Sequence, residues 1–149
     1  MRRFAQVGAP PPLAEFSGLW HLSRQITQAD GTTAAFDGTA VWKWQDGASE
    51  PTLEYRETGH LKLAGQPPMQ AERRYLWRSG PTVWFTDGRF FHTVPPGGGS
   101  AHHQCDPDSY TVTYGFSGWT RPEGAVFSTR WEVTGPRKAY QMDTIYRKS

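Results

Sequence analysis

Three charged side chains sit in stretches where aromatic and polar residues alternate, and chemistry would start from them. In the run from Trp20 to Ile26, residues two apart share one face of a strand, so Arg24 lies with Trp20, Leu22 and Ile26. Between Thr52 and Leu63, Glu57 shares a face with Leu53, Tyr55, Gly59 and Leu61; between Met69 and Arg78, Arg73 shares one with Ala71, Tyr75 and Trp77. An unpaired charge among such rings is costly, so the three must find partners. Two arginines against one glutamate leave one positive charge over. A ligand carboxylate or phosphate would neutralise it through bidentate bonds, and an internal salt-bridge and water network is the alternative. In the first case Arg24 and Arg73 hold the anion, and Glu57 orients one arginine or accepts a ligand hydroxyl. Tyr75, Tyr110, Tyr114 and Trp131, with Tyr140, then give the walls apolar bodies with polar tips, suited to a flat aromatic or acyl guest.

His103 and Cys105, two apart, also share a face and form a possible base and nucleophile, because a thiolate needs a basic or cationic neighbour. An enzyme using His103, Cys105 or Glu57 for proton transfer is therefore the second reading, although a lone cysteine also serves as a small buried hydrophobe. His92 would complete a His, His, Cys metal set if its strand lay beside that of His103; two ligands alone are not a site. The expected state is no cofactor, with a single metal ion or haem as the exceptions. A third reading is a protein-interaction barrel with a filled core.

These residues must be positioned by strands. Seven Trp, six Tyr and eight Phe supply an aromatic core, while 16 Gly and 12 Pro punctuate short alternating runs. Runs are expected at 19–26, 33–44, 52–63, 69–78, 82–86, 89–94, 102–105, 110–116, 125–133 and 140–146, with Asp87-Gly88 making the clearest tight hairpin. Gly38 inside the second run predicts a bulge or sharp bend. Pro95-Pro96-Gly97-Gly98-Gly99-Ser100 reads as a flexible rim loop and a candidate entrance. Gly135-Pro136 is a turn followed by Arg137 and Lys138, which would steer an anion if they stand at the mouth. The Asp106-Pro107-Asp108 turn is expected to use its carboxylates as backbone caps.

About ten sequential antiparallel strands hide their edges by closing, and midpoint glycines at 38 and 59 suit a coiled wall. The predicted fold is all-β: one up-and-down β-barrel of about eight to ten strands over residues 13–149, preceded by an extended arm over 1–12 with a helical turn at Leu13 to Phe16. A net charge of +2 argues against nucleic acid. No apolar run is long enough for a membrane span or a secretory signal, and the single cysteine fits a reducing compartment, so the expected location is the cytoplasm. Leu76 and Trp84, on outer faces, mark a candidate homodimer contact.

Phe16-Ser17-Gly18-Leu19-Trp20 resembles the G-x-W opening of the calycin superfamily, which includes lipocalins, fatty-acid-binding proteins and nitrobindin-like proteins. The resemblance implies that Trp20 plugs one end of the barrel. The segments His103 to Tyr110 and Trp131 to Tyr140 look like those of a family of small uncharacterised bacterial proteins with a calycin-like fold. Arg73-Arg74-Tyr75 is similar to the Arg-x-Tyr pair that holds carboxylates in fatty-acid-binding proteins, but it falls in the fourth strand instead of near the C-terminus. Nitrobindin-like barrels hold haem through a His in a late strand, and this chain has no His after His103.

Overall fold

The computed structural model describes residues 10–149, so most of the predicted arm lies outside the described residues. Leu13–Phe16 forms one 3-10 turn. Ten strands follow: β1 (Gly18–Gln28), β2 (Thr33–Trp44), β3 (Thr52–Leu63), β4 (Met69–Arg78), β5 (Thr82–Trp84), β6 (Phe90–Thr93), β7 (Gly99–Cys105), β8 (Asp108–Gly115), β9 (Val126–Thr134) and β10 (Ala139–Lys148). All are antiparallel and each pairs with its chain neighbour, except that β1 pairs with β10 while β6 and β7 form the two ends of the sheet. The result is a nearly closed up-and-down barrel whose seam lies between β6 and β7. Among the described residues no helix is long and apolar enough to cross a membrane.

Across the seam, rings take the place of a backbone ladder. Phe91 of β6 meets His103 of β7 at 5.2 Å between centroids and Tyr110 of β8 at 5.7 Å, and Phe85 reaches His103 at 6.0 Å. Continuous pairing from Ala34↔Leu63 to Trp44↔Leu53 corrects the expected bulge at Gly38. Gly38 and Gly59 face each other where β2 and β3 approach closely: a Cβ on Gly38 would lie 2.1 Å from the Thr58 carbonyl oxygen, and one on Gly59 would lie 2.3 Å from that of Asp37. The two strands pass each other there without a change of register. The register shift falls instead between Val83 and Trp84.

Strand direction sorts the inward residues into a lower and an upper end. At the lower end Phe16, Trp20, Trp42, Leu53 and Phe127 are fully buried. Gly18, at φ +121°, turns the chain from the 3-10 segment into β1, a conformation that glycine adopts without strain. The Trp20 indole N–H then donates to the Phe16 carbonyl at 2.8 Å, and Phe16 packs on Trp77 and Trp119 at 5.0 and 4.8 Å. Trp119, from the β8–β9 connection, is pinned by its own N–H to the Glu15 carboxylate at 2.8 Å. The Pro95–Ser100 segment connects strand ends at this closed end, with Gly97 near Pro10 to Pro12 and Trp119, which corrects its reading as an entrance. Toward the upper end the inward side chains of Leu61, Ala71, Arg73, Tyr75, His103, Tyr110, Trp131 and Tyr140 are only half-buried.

Candidate functional site

The interior polar groups are set by strand parity and by what stands between them. Arg24 on β1 and Glu57 on β3 are separated by β2, and the inward position midway between them on β2 is Gly38, which has no side chain. The Arg24 guanidinium therefore reaches across to Glu57 in a bidentate pair, Nη1 to Oε2 at 2.5 Å and Nη2 to Oε1 at 3.0 Å. Its remaining Nε–H donates to Thr144 Oγ1 of β10 at 2.8 Å. The Tyr55 hydroxyl donates to Glu57 Oε1 and lies 3.0 Å from the Tyr146 hydroxyl.

This network settles its members' charge states. Burial would raise the Glu57 carboxyl, but the hydrogen bonds and charge of Arg24, with the Tyr55 hydroxyl, outweigh it and hold the group below the usual carboxylate range. For Arg24 burial acts in the opposite sense and Glu57 again prevails, keeping the guanidinium charged. Tyr55 and Tyr146 are pushed up by burial and stay neutral phenols. Arg24 and Glu57 thus form a closed neutral pair at the middle of the barrel.

Arg73 is left over. It pairs in register directly opposite Glu57, yet the carboxylate turns to Arg24, and among the described residues Arg73 has no carboxylate within 4.0 Å. Its guanidinium carbon lies 5.4 Å from the ring centroid of Trp131. Burial disfavours its charge, but the Tyr75 hydroxyl and Glu57 more than restore it. Tyr75 in turn is raised by burial, an effect that Arg73 partly offsets. Below this level is an interior cavity of about 30 Å³, lined among others by Trp42, Arg73, His92, Thr129 and Trp131. It has room for one or two waters.

The histidine and cysteine candidates are dispersed. His103 and Cys105 lie half-buried on the inner face of β7, and the His103 ring rests among Phe85, Phe91 and Tyr110. His92 is fully buried, with Nε2 2.8 Å from the Tyr114 hydroxyl. Burial, with a smaller contribution from His103, lowers its pKa to about 3. Among the described residues no three His, Cys, Asp or Glu side chains are grouped to hold a metal ion, so the His92, His103 and Cys105 set is not assembled. Asp106 accepts from the Gln104 side chain at 3.0 Å and Asp108 pairs with Lys138 at 3.2 Å, in place of the expected backbone caps. Lys138 is thereby neutralised at the upper end, whereas Arg137 beside it is exposed. Leu76, expected as part of an exposed dimer contact, is instead buried beside its register partner Trp84, which meets Phe90 edge-on at 5.2 Å and lies under Arg78 at 4.9 Å.

Sequence parity placed Arg24, Glu57 and Arg73 inside, with Tyr55 on the face of Glu57, but it did not identify Tyr55, Thr144 and Tyr146 as members of the polar network, nor Thr129 and Trp42 as lining the cavity. Tyr55 carried a usable signal, two residues from Glu57 on the same face, as did Thr144 and Tyr146 on the aromatic face of β10.

A ten-stranded meander, plugged at one end by a tryptophan and carrying charge inside, defines a calycin-like β-barrel. The chain belongs to a family of unknown function, DUF6314, whose model matches residues 16–148. No curated protein matches the sequence. In structure it is similar to an S-type phycobiliprotein lyase from Guillardia theta, with a TM-score of 0.63 and 9% identity over 99% of this chain and 98% of that one. At that identity the likeness concerns the fold.

Proposed function

We propose that the barrel binds a small, partly apolar anion, with Arg73 as the group that holds its charge. The observation that carries this is the interior cation left without a carboxylate once Arg24 and Glu57 have closed on each other. A half-buried, unpaired guanidinium beside aromatic rings offers two parallel N–H donors to a planar anion. The apolar body of the guest would rest against Tyr75, Tyr110, Trp131 and Tyr140 at the upper end, with Arg137 drawing it in. Arg24 and Glu57 are then not ligand contacts but the support that frees Arg73. The barrel fold shared with a phycobiliprotein lyase supports a small-molecule guest.

Thermal unfolding with 2-naphthoate and decanoate, each against its methyl ester, tests the reading. The acids should raise Tm and the esters should not, and Arg73→Leu should remove the gain while the protein stays folded. Equal stabilisation of wild type and Arg73→Leu, or no stabilisation by either acid, would sink it.

A further inference from the structure

Among the described residues three fully buried side-chain polar atoms have no protein hydrogen-bond partner: Trp42 Nε1, His92 Nδ1 and Thr129 Oγ1. All three residues line the same interior cavity, from β2, β6 and β9. Buried polar groups are nearly always satisfied, so three orphans around one small space point to something that belongs between them.

Their donor character can be worked out. The indole N–H only donates. For His92, the bond to Tyr114 allows two tautomers. If Nε2–H donated to the phenol oxygen, the phenol hydrogen and the Nδ1 lone pair would both be left unpaired in a dry core. If the phenol donates to Nε2, only Nδ1–H is unpaired, and this arrangement costs less. The residues around the cavity thus carry two unpaired N–H groups, on Trp42 and His92, and one unpaired hydroxyl, on Thr129, while the Glu57 oxygens are already taken by Arg24 and Tyr55. The neutral imidazole adds no charge, which leaves the single positive charge of Arg73.

Resting on the reading above, we infer that the head of the guest is a monoanionic carboxylate, buried beneath Arg73 and held from below by Trp42, His92 and Thr129. Two oxygens match a space of about 30 Å³ that fits one or two waters, and one negative charge matches one unpaired guanidinium. A phosphate monoester brings a third oxygen and close to a second charge, with no cation to meet it.

Thr129 and Thr144 make the test sharp, because they are register partners on β9 and β10, both buried, one unpaired and the other bonded to Arg24. In the ligand-free protein Thr129→Val should raise Tm by about 3 °C or more, since it removes an unpaired hydroxyl without changing shape, while Thr144→Val should lower it. Thr129→Val should also weaken 2-naphthoate about tenfold, and the Trp42 indole proton should shift on titration with 2-naphthoate but not with 2-naphthyl phosphate. A fall in Tm for Thr129→Val would overturn the inference, for it would mean that water already satisfies the hydroxyl. Arg73-dependent binding of 2-naphthoate with an unmoved Trp42 signal and unchanged Thr129→Val affinity would overturn it too, while leaving the anion-binding proposal intact. Equal or tighter binding of 2-naphthyl phosphate would replace the carboxylate by a phosphate, and no binding of either probe would remove both proposals.

Discussion

The lower end of the barrel is closed by rings that need only one another, whereas the middle holds charges that are tolerable only as a pair. Phe16, Trp20, Trp42 and Phe127 bury almost all their surface and interlock at centroid distances from 5.2 to 6.4 Å. Their energy is apolar area with edge-to-face geometry added, and it is spread over many contacts. One strand turn higher, Arg24, Glu57, Thr144, Tyr55 and Tyr146 form a network in which losing one member leaves the others desolvated and unpaired. The difference separates a layer held by apolar contact spread over many rings from one held by a few paired charges and hydroxyls, and substitutions can test whether the second serves the shape at all.

Glu57→Gln should have the largest effect in the charged layer. It strands the Arg24 guanidinium in the core and should lower the unfolding free energy by about 3–5 kcal/mol in urea titration. Phe16→Ala should cost a similar amount, about 3–5 kcal/mol, by leaving a cavity under Trp20 and Trp119. The second substitution tells the layers apart. Arg24→Met with Glu57→Leu should restore most of the loss, because a buried pair can be replaced by apolar volume, whereas no single partner change should rescue Phe16→Ala. A double variant no better than Glu57→Gln would show that the charged layer also holds the shape.

His92 separates the layers by pH. Its folded pKa of about 3 lies below the 6.5 of a free imidazole, so as pH falls the unfolded chain takes up the proton first. The stability that comes from keeping it neutral is whole above about pH 6.5 and is lost toward pH 3, at about 1.4 kcal/mol per pH unit inside that window. Glu57, held below the usual carboxylate range, remains ionised through the upper part of the window and adds no slope there. His92→Phe should therefore flatten the urea midpoint between about pH 6 and 5, at the cost of the Tyr114 hydrogen bond at neutral pH. An unchanged slope would mean that the ring titrates in the folded state.

Much of the fold was legible because alternation writes the inner face of each strand directly into the sequence, and tight turns such as Asp87-Gly88 fix which strands pair. Parity likewise put Arg24, Glu57 and Arg73 inside. It could not say which arginine Glu57 would choose: register places Arg73 directly opposite, and the actual partner is two strands away, reached over a glycine that looked like a bend and acts as a clearance. The Pro95–Ser100 loop was misplaced because composition reports its turn-forming character but not the end of the barrel at which it falls. The cavity orphans were illegible for a related reason: a threonine on an inward face shows parity, and only the full set of neighbours shows whether its hydroxyl is paired.

The two arginines give the smallest effect and the closest comparison. Arg24→Met should cost several kcal/mol, since it leaves Glu57 buried with only the Tyr55 hydroxyl. Arg73→Met removes a guanidinium whose attraction to Trp131, about 0.5–2 kcal/mol, is set against the partial loss of its hydration. The terms are of similar size and opposite sign, so the stability of the ligand-free protein should change by less than about 1 kcal/mol. Methionine fills most of the stem volume, which keeps packing out of the result. A loss as large as that of Arg24→Met would mean that Arg73 is part of the same closed network, and the barrel would then have no cation to spare for a guest.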